Sequence, residues 1–327
     1  MISCKIYALF FLSVLCFHTA SAQELPRSDE SALIWLKKMT RAPRLHNFSG
    51  TFVYYADNHI ETSYIVHVAD STGERERIEV LDGIPRIVFR NNDEMKCYLP
   101  ESKKIYTEKR WFRKFFPDFI PQPIDNIDEN YYVKKIKRER ITNRESQLIT
   151  LLPRDALRYG HQFWVDIETG LLLKVTVTHG NEIIEQFAFA QLQIDSGIDP
   201  EATFNQSISA KEWQVTNLIA TILNKSELRW KINKLPSGFK KLVEMKRNLT
   251  EKPILVDHIA LSDGLATISV FIEPITKDAP APVPGFFASR GAINIYVRVL
   301  DNHKITTVGE VPVETIKLIG DSVTKLN

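Results

Sequence analysis

The densest group of chemically distinctive side chains lies in residues 102–124, SKKIYTEKRWFRKFFPDFIPQPI. Cations alternate there with large aromatic rings, and Pro117, Pro121 and Pro123 prevent continued regular structure. Cations beside apolar rings suit an amphiphile with an acidic head and acyl tails, or an acidic peptide with hydrophobic anchors. A loop that covers a sheet edge with solvated lysines explains the pattern equally well. We predict a gating loop formed by Lys109, Arg110, Trp111, Phe112, Arg113, Lys114, Phe115 and Phe116.

Signatures of catalysis and metal binding are missing from the sequence. It contains no HExxH, CxxC, phosphate-binding glycine loop or GxSxG motif, and its eight histidines lack metal-ligand spacing. Ser322, in GDSV, lies in a terminal helix with no strand before it, and Asp166 and Glu168 suit a hairpin turn. We therefore predict a protein that is not an enzyme, with no catalytic residues, metal or cofactor.

The first 22 residues have the pattern of a secretory signal peptide. Lys5 precedes an apolar run from Ile6 to Phe17, and the small residues Ala20, Ser21 and Ala22 follow. An uncleaved anchor is the alternative, but the run is shorter than the about 18 residues that span a membrane. Cleavage after Ala22 would leave Cys97 as the single cysteine, which excludes an internal disulfide and favours a buried strand cysteine. The formal charge of +2 gives no reason to expect a nucleic-acid partner.

Hydrophobic periodicity predicts one helix, then mostly strands. RSDESALIWLKKMTRA has acidic residues first, basic residues last and one face formed by Ala32, Leu36 and Met39. A period of two follows, with turn formers between the runs, which favours an antiparallel meander. In the last hairpins Phe163 and Val165 share a face, as do Leu173 and Val175. Such a face fills a core or lines an apolar cavity, and periodicity does not separate the two.

Composition also predicts the domain boundaries. Turn formers and polar residues around Gly197 to Ser209 mark a linker, and strong strands and a final helix follow. We predict a signal peptide at 1–22, a large domain at 23–196, a linker at 197–222 and a small sheet domain at 223–327. The fold class is α+β, mainly antiparallel β.

Several blocks of sequence resemble the RseB/MucB family, periplasmic regulators of an extracytoplasmic-stress sigma factor. They are NFSGTFVYY, GERERIEVLDGIPRIVFRNNDEMKCYLPESK, LLPRDALRYGHQFWVDIETGLLLKV, EQFAFAQLQI and SDGLATISVFIEP with GAINIYVRVLDNHKITTVGEVP. The resemblance covers nearly the whole mature chain in order. It implies an N-terminal unclosed β-barrel like that of LolA and LolB, followed by a smaller β-sheet domain with a C-terminal helix.

The same resemblance implies a function in the envelope stress response. Family members bind the periplasmic domain of a membrane-spanning anti-sigma factor of the RseA/MucA type and shield it from site-1 proteolysis. Lipid A, lipopolysaccharide or the acyl chains of mislocalised lipoprotein relieve that shielding. Self-association into a homo-oligomer is also implied. The alternative is a periplasmic lipid or lipoprotein carrier without an anti-sigma partner.

The resemblance does not fix contacts residue by residue, so the site residues are inferences from pattern. For the wall of a lipid cavity we predict Val53, Tyr55, Phe163, Val165, Leu173 and Val175. For contact with the partner we predict Tyr296 and Arg298 in GAINIYVRV, because an exposed edge strand accepts an extended peptide. An interior strand explains that sequence equally well.

Overall fold

The computed structural model describes residues 28–109, 126–199, 203–204, 213–249, 254–276, 280–288 and 290–326. Helices in these ranges are α1 (Glu30–Arg41), α2 (Ile127–Asn130) and α3 (Val313–Asp321), with 3₁₀ turns at Ala42–Arg44 and Lys225–Glu227. The first strands are β1 (Phe48–Ala56), β2 (His59–Asp70), β3 (Gly73–Val80), β4 (Ile87–Asn91), β5 (Glu94–Leu99), β6 (Lys104–Lys109), β7 (Tyr131–Ile141), β8 (Arg144–Pro153), β9 (Gly160–Asp166), β10 (Leu172–His179) and β11 (Glu182–Ile194). The remaining strands are β12 (Gln214–Leu218), β13 (Ala220–Ile222), β14 (Trp230–Ile232), β15 (Lys240–Asn248), β16 (Leu255–Ser262), β17 (Thr267–Pro274), β18 (Gly285–Ala288), β19 (Asn294–Leu300), β20 (His303–Gly309) and β21 (Val323–Lys325).

Helix α1 forms where its charges and apolar spacing predict it. The Asp29 carboxylate caps its first turn by accepting from the Ser31 backbone N–H at 2.9 Å, and Lys38 and Arg41 occupy its last turn. The buried residues are those of the predicted face, Ala32, Leu36 and Met39. The helix therefore presents one apolar stripe to the sheet below it.

The larger sheet has the strand order β12-β6-β5-β4-β3-β2-β1-β11-β10-β9-β8-β7. Neighbouring strands are antiparallel except β12, which runs parallel to β6. Because β12 and β7 are opposite edges, the sheet is an unclosed barrel. At the β7–β8 turn, the Thr142 hydroxyl donates to the carbonyl of Phe189 on β11 at 2.6 Å, so the sheet curls across its own concave face.

The smaller sheet has the order β13-β15-β16-β17-β20-β19-β18, and β14 pairs separately with β21. Helix α3 packs against β19 and β20. Ile316 and Ile319 from the helix share a core with Ile268, Val270 and Ile305 from the sheet. The predicted fold class is confirmed: an antiparallel, unclosed barrel is followed by a smaller sheet with a helix near the C-terminus.

The two sheets are joined at a turn of the second unit that enters the core of the first. Leu265, between β16 and β17, is buried in the cluster that contains Leu36 of α1. Beside it the Asp263 carboxylate accepts from Arg158 Nη1 at 2.7 Å and from the Tyr131 hydroxyl at 3.0 Å, and both side chains of the ion pair are fully buried. The sequence predicts this turn as a simple hairpin connection. The structure shows that this turn, residues 262–265, also fills part of the core of the larger sheet, and we call it the plug.

A single residue separates the strands of the two sheets along the chain. Residues 214–218 extend the larger sheet as β12, and residues 220–222 pair with β15 of the smaller sheet as β13. Ile219 lies between them and is exposed. The chain therefore crosses from one sheet to the other within the segment predicted as a linker.

Candidate functional site

One apolar face runs continuously across the concave side of the larger sheet. Residues paired across a ladder point to the same side, and the register aligns Tyr54, Phe187, Val175, Phe163 and Ile149 across β1, β11, β10, β9 and β8. Alternation therefore creates this face, as the sequence predicts. What covers it differs from one end to the other.

Helix α1 fills the part of the face over β7 to β10. Leu36 and Met39 pack there with Phe163, Val175 and Ile149, and the Leu265 turn completes the cluster. Phe163 and Val175 have no exposed surface. This half of the face is a close-packed core.

The other half of the face forms a half-open cavity of about 450 Å³ over β1 to β6, β11 and β12. Apolar side chains dominate its walls. The lining residues are Phe52, Tyr54, Glu61, Ser63, Ile78, Val80, Arg86, Val88, Met95, Cys97, Tyr106, Glu108, Phe187 and Leu218. An apolar cavity with a few polar groups is the form that binding sites for amphiphiles and other small ligands take.

The charged groups of the cavity lie in two places. Glu61 and Arg86 form a partly exposed ion pair, with Arg86 Nη2 at 3.3 Å from the Glu61 carboxylate. The Glu108 carboxylate accepts from Arg247 Nη2 at 2.8 Å, and this pair is almost wholly buried. Arg247 belongs to β15, so the second unit supplies the counter-charge to a cavity residue.

Glu185 makes a second polar connection between the cavity and the second unit. Its Oε2 accepts from the hydroxyl of the lining residue Tyr54 at 3.3 Å and from the backbone N–H of Ala292 at 3.0 Å. Burial raises the pKa of the Glu185 carboxyl to about 7, and the nearby carboxylates of Glu310 and Asp57 act in the same direction. Burial beside Glu185 also raises the pKa of the Tyr54 phenol well above its ordinary value. The hydroxyl therefore stays protonated and able to donate.

The six residues predicted as cavity wall fall into three environments. Phe163, Val165 and Val175 belong to the core under α1. Val53 and Tyr55 alternate with Phe52 and Tyr54 and so point away from the cavity, and Tyr55 is partly exposed. None of the six lines the cavity described above, and their contact with lipid stays a prediction.

Leu173 shows why simple alternation fails on β10. Leu172 pairs with Val165 and Lys174 pairs with Trp164, so Leu173 is an extra residue in a β-bulge. The bulge moves Leu172 onto the face of Val165. Leu173 is buried, but the bulge breaks the alternation by which the sequence placed it on the same face as Val175.

Most of the predicted gating loop lies outside the described residues. This applies to Arg110, Trp111, Phe112, Arg113, Lys114, Phe115 and Phe116. Lys109 is described, and its Nζ lies 3.0 Å from the Asp93 carboxylate. Lys109 directly follows the cavity residue Glu108 on the chain.

The premise for choosing Tyr296 and Arg298 as partner contacts is wrong. Their strand β19 lies between β20 and β18 and is an interior strand; the edge is β18, with exposed Phe286 and Phe287. The Tyr296 hydroxyl donates to Asp321 at 2.8 Å, and Arg298 donates to the carbonyl of Val323 at 2.5 Å. Both side chains hold the C-terminal segment to the sheet.

The residues that line the cavity include several that pattern reasoning passed over. Ile78, Val88, Cys97 and Tyr106 are aligned across β3 to β6 and all face inward. The sequence shows the alternation of these strands. It does not show which strands helix α1 covers and which it leaves open. Cys97 is partly exposed on the cavity wall rather than buried as predicted.

The described residues show neither of two other kinds of functional feature, metal sites and membrane-spanning helices. Histidine, cysteine and acidic side chains form no group of three or more there that could hold a metal ion. In the same part of the chain, no helix has the length and apolar character needed to cross a membrane.

The sequence matches two family profiles that together span most of the chain. The profile of the MucB/RseB N-terminal domain matches residues 31–213, and that of the MucB/RseB C-terminal domain matches residues 224–324. The chain belongs to the MucB/RseB family. The interval between the two profiles, residues 214–223, contains Ile219, where the chain passes from the larger sheet to the smaller.

Relatives in the MucB/RseB family match along nearly their whole length. The sigma factor AlgU regulatory protein MucB of Pseudomonas aeruginosa is 28% identical over 294 residues, which cover 88% of this chain and 89% of the relative. The sigma-E factor regulatory protein RseB of Haemophilus influenzae is 25% identical over 311 residues, 94% of each chain. Both names describe regulatory proteins.

Solved structures of MucB share the fold. MucB in a crystal structure with MucA(peri) superposes with a TM-score of 0.69 at 25% identity, over 90% of this chain and 99% of that chain. The complex of Pseudomonas aeruginosa MucA and MucB gives a TM-score of 0.70 at 26% identity, over 91% and 99%. In both structures MucB is bound to MucA.

Proposed function

We propose that this protein binds the periplasmic domain of a membrane-spanning anti-sigma factor of the RseA/MucA type and shields it from site-1 proteolysis. An acyl chain of lipopolysaccharide or of mislocalised lipoprotein that enters the cavity triggers release. The observation that carries the proposal is the apolar cavity of about 450 Å³ whose walls include two side chains in polar networks that reach the second unit, Tyr54 and Glu108. The MucB–MucA complexes support the choice of partner.

The size and lining of the cavity support an acyl chain as its ligand. At about 450 Å³ the cavity falls within the about 300–1,000 Å³ of ligand pockets, so it can take part of an acyl chain. Burial of that chain is favourable by about 0.8 kcal/mol per methylene. Arg86 lies at the cavity with part of its side chain exposed, where it can meet an acidic head group.

Residence in the periplasm is part of the same proposal. The predicted signal peptide at 1–22 lies outside the described residues, and its cleavage after Ala22 can be read from the N-terminal sequence of the purified protein. A mature N-terminus at Gln23, found in the periplasmic fraction, supports the proposal. A protein retained in the cytoplasm contradicts it.

The direct test is calorimetric titration of the mature protein with the periplasmic domain of the anti-sigma factor from its own genome. We expect micromolar or tighter binding that weakens when lipid A is added. Digestion of the anti-sigma domain by its site-1 protease should slow in the presence of the protein and recover with lipid A. Absence of binding to the anti-sigma domain would refute the proposal.

The alternative function is a lipid or lipoprotein carrier that has no anti-sigma partner. It is favoured by the fact that the lining residues all belong to the larger sheet and its adjoining loops. In the same titration a carrier binds lipid A and not the anti-sigma domain. Self-association is proposed for either function, and sedimentation with and without lipid A measures it.

A further inference from the structure

Two neighbouring strands at one side of the cavity each contribute a lining residue. Glu108 on β6 and Leu218 on β12 are paired in the parallel ladder, and both face the cavity. A chain that fills this part of the cavity therefore contacts both strands at the same level. These strands also make the connection to the second unit.

From Leu218 the backbone reaches the second unit within two residues. Ala220 on β13 pairs with Arg247 on β15. The crossing residue Ile219 is held by Asn248, whose side-chain oxygen accepts from the Ile219 N–H at 2.6 Å and whose backbone N–H donates to the Ile219 carbonyl at 3.2 Å. Asn248 of β15 therefore bonds both the N–H and the carbonyl of Ile219.

The side chain of Arg247 completes a ring of contacts. It returns to the larger sheet and donates to Glu108 at 2.8 Å, and both side chains are 7% exposed. The ring therefore runs from Glu108 to Leu218 by strand pairing, to Ala220 along the chain, to Arg247 by strand pairing, and back to Glu108 by an ion pair. Two of its four members line the cavity.

An apolar ligand changes the energetics of this ring. It removes remaining water from the Glu108 carboxylate, and a buried charge without water depends on its partner. Occupancy then favours the arrangement in which Arg247 stays against Glu108. A ligand shifts a conformational equilibrium only through such a difference between states.

We propose that the Glu108–Arg247 ion pair transmits occupancy of the cavity to the second unit, so that a bound acyl chain weakens binding of the anti-sigma domain. This inference rests on the proposed function and adds its means of regulation. Arg247 acts as a positioning residue, because its effect on the cavity passes through Glu108, which lines the cavity.

The test compares coupling rather than affinity. The dissociation constant of the anti-sigma periplasmic domain is measured with and without lipid A for the wild-type protein and for a double variant, Glu108→Gln with Arg247→Met. For the wild type we expect lipid A to weaken binding by about tenfold, which is typical of coupled sites. In the double variant, with lipid A added to a concentration that saturates that variant, lipid A changes the affinity for the partner by less than about twofold.

A matched control removes another polar contact between the two units. The Thr315 hydroxyl donates to the carbonyl of Leu157 at 2.8 Å, and neither residue lines the cavity. Thr315→Val should keep the full coupling of the wild type. Loss of coupling in both variants would mean that any weakened interface abolishes it, which overturns the role of the ion pair.

The outcomes separate this inference from the proposed function. A wild-type protein that shows no effect of lipid A on the partner overturns both. Wild-type coupling that persists in the double variant overturns the inference alone. If the double variant does not fold, Glu108→Gln takes its place, because glutamine keeps an acceptor for Arg247 while removing the charge; unchanged coupling there also overturns the inference.

Discussion

The two halves of the concave face share the same alternation of inward-facing apolar side chains, but one half is a packed core and the other is a cavity. Over β7 to β10, helix α1 and Leu265 cover the apolar side chains and turn them into a core. Over β1 to β6, the same alternation encloses a cavity of about 450 Å³. A strand's own sequence sets which side chains face inward, whereas the elements packed above them decide whether the space is filled.

The largest expected effect lies in the filled half. Phe163→Ala should lower the free energy of unfolding by about 3–5 kcal/mol, because a fully buried ring is replaced by a void. Lipid A affinity should stay unchanged. Urea denaturation and lipid titration of the same variant measure both. A small loss of stability with a large loss of lipid binding would show instead that Phe163 lines the ligand site, as the sequence predicts.

The next effect concerns Glu185, which borders the open half. Its folded-state pKa of about 7 lies above the ordinary 4.5, so its contribution to stability is complete below pH 4.5 and is lost as the pH rises to about 7. The free energy of unfolding of Glu185→Gln should therefore exceed that of the wild type by about 3 kcal/mol at pH 8 and should equal it at pH 4. Glutamine still accepts from the Ala292 N–H.

Urea denaturation of the Glu185→Gln variant across this pH range measures the effect, and Glu182→Gln on the same strand is the control because Glu182 is exposed. Parallel stability curves for wild type and Glu185→Gln from pH 4 to 8 would contradict the assignment. They would mean that the pKa of Glu185 is the same in the folded and unfolded states.

A cavity-filling substitution should separate stability from binding in the open half. Val88→Phe adds volume where space exists, so the free energy of unfolding should change by less than about 1.5 kcal/mol. Lipid A binding should fall by at least about tenfold, because the larger side chain displaces about two methylenes from the cavity, and each displaced methylene loses about 0.8 kcal/mol. Calorimetry measures this, with Val53→Phe on the opposite face as control. Retained lipid affinity in Val88→Phe would place the acyl chain elsewhere.

The smallest effect is expected on the convex side. Tyr55 is partly exposed, and its hydroxyl donates to the nearby side chain of Asn58 at 3.2 Å. Tyr55→Ser should change stability by no more than about 0.5 kcal/mol and leave lipid binding intact. A clear loss of lipid binding would show that the convex face takes part in the site.

Sequence reasoning recovered the elements better than their surroundings. Helix α1, its buried face and the antiparallel strands follow from charge placement and alternation, which are local properties. The bulge at Leu173 shifted the phase of β10, and no turn former marks it. The edge assignment of β19 failed because β18 is four residues long and follows a proline-rich stretch, so it lacks the alternation of a longer strand.

The site itself depended on contacts between distant parts of the chain. Glu108 meets Arg247, and Glu185 meets Ala292, over separations that no periodicity encodes. The family resemblance supplied the fold class and the kind of partner, but not the lining. Cys97 shows the limit: its strand was identified, yet its partial exposure follows from a cavity that several other strands complete.

The plug formed by residues 262–265 has a consequence for the order in which the chain is made. Every described strand of the larger sheet precedes it, so those strands are synthesised before Leu265, which completes their core, and before Asp263, the partner of Arg158. A nascent chain shorter than 262 residues has an unfilled socket and an arginine without this counter-ion. Truncation before residue 262 should therefore leave apolar core of the larger sheet exposed, and the second unit is what covers it.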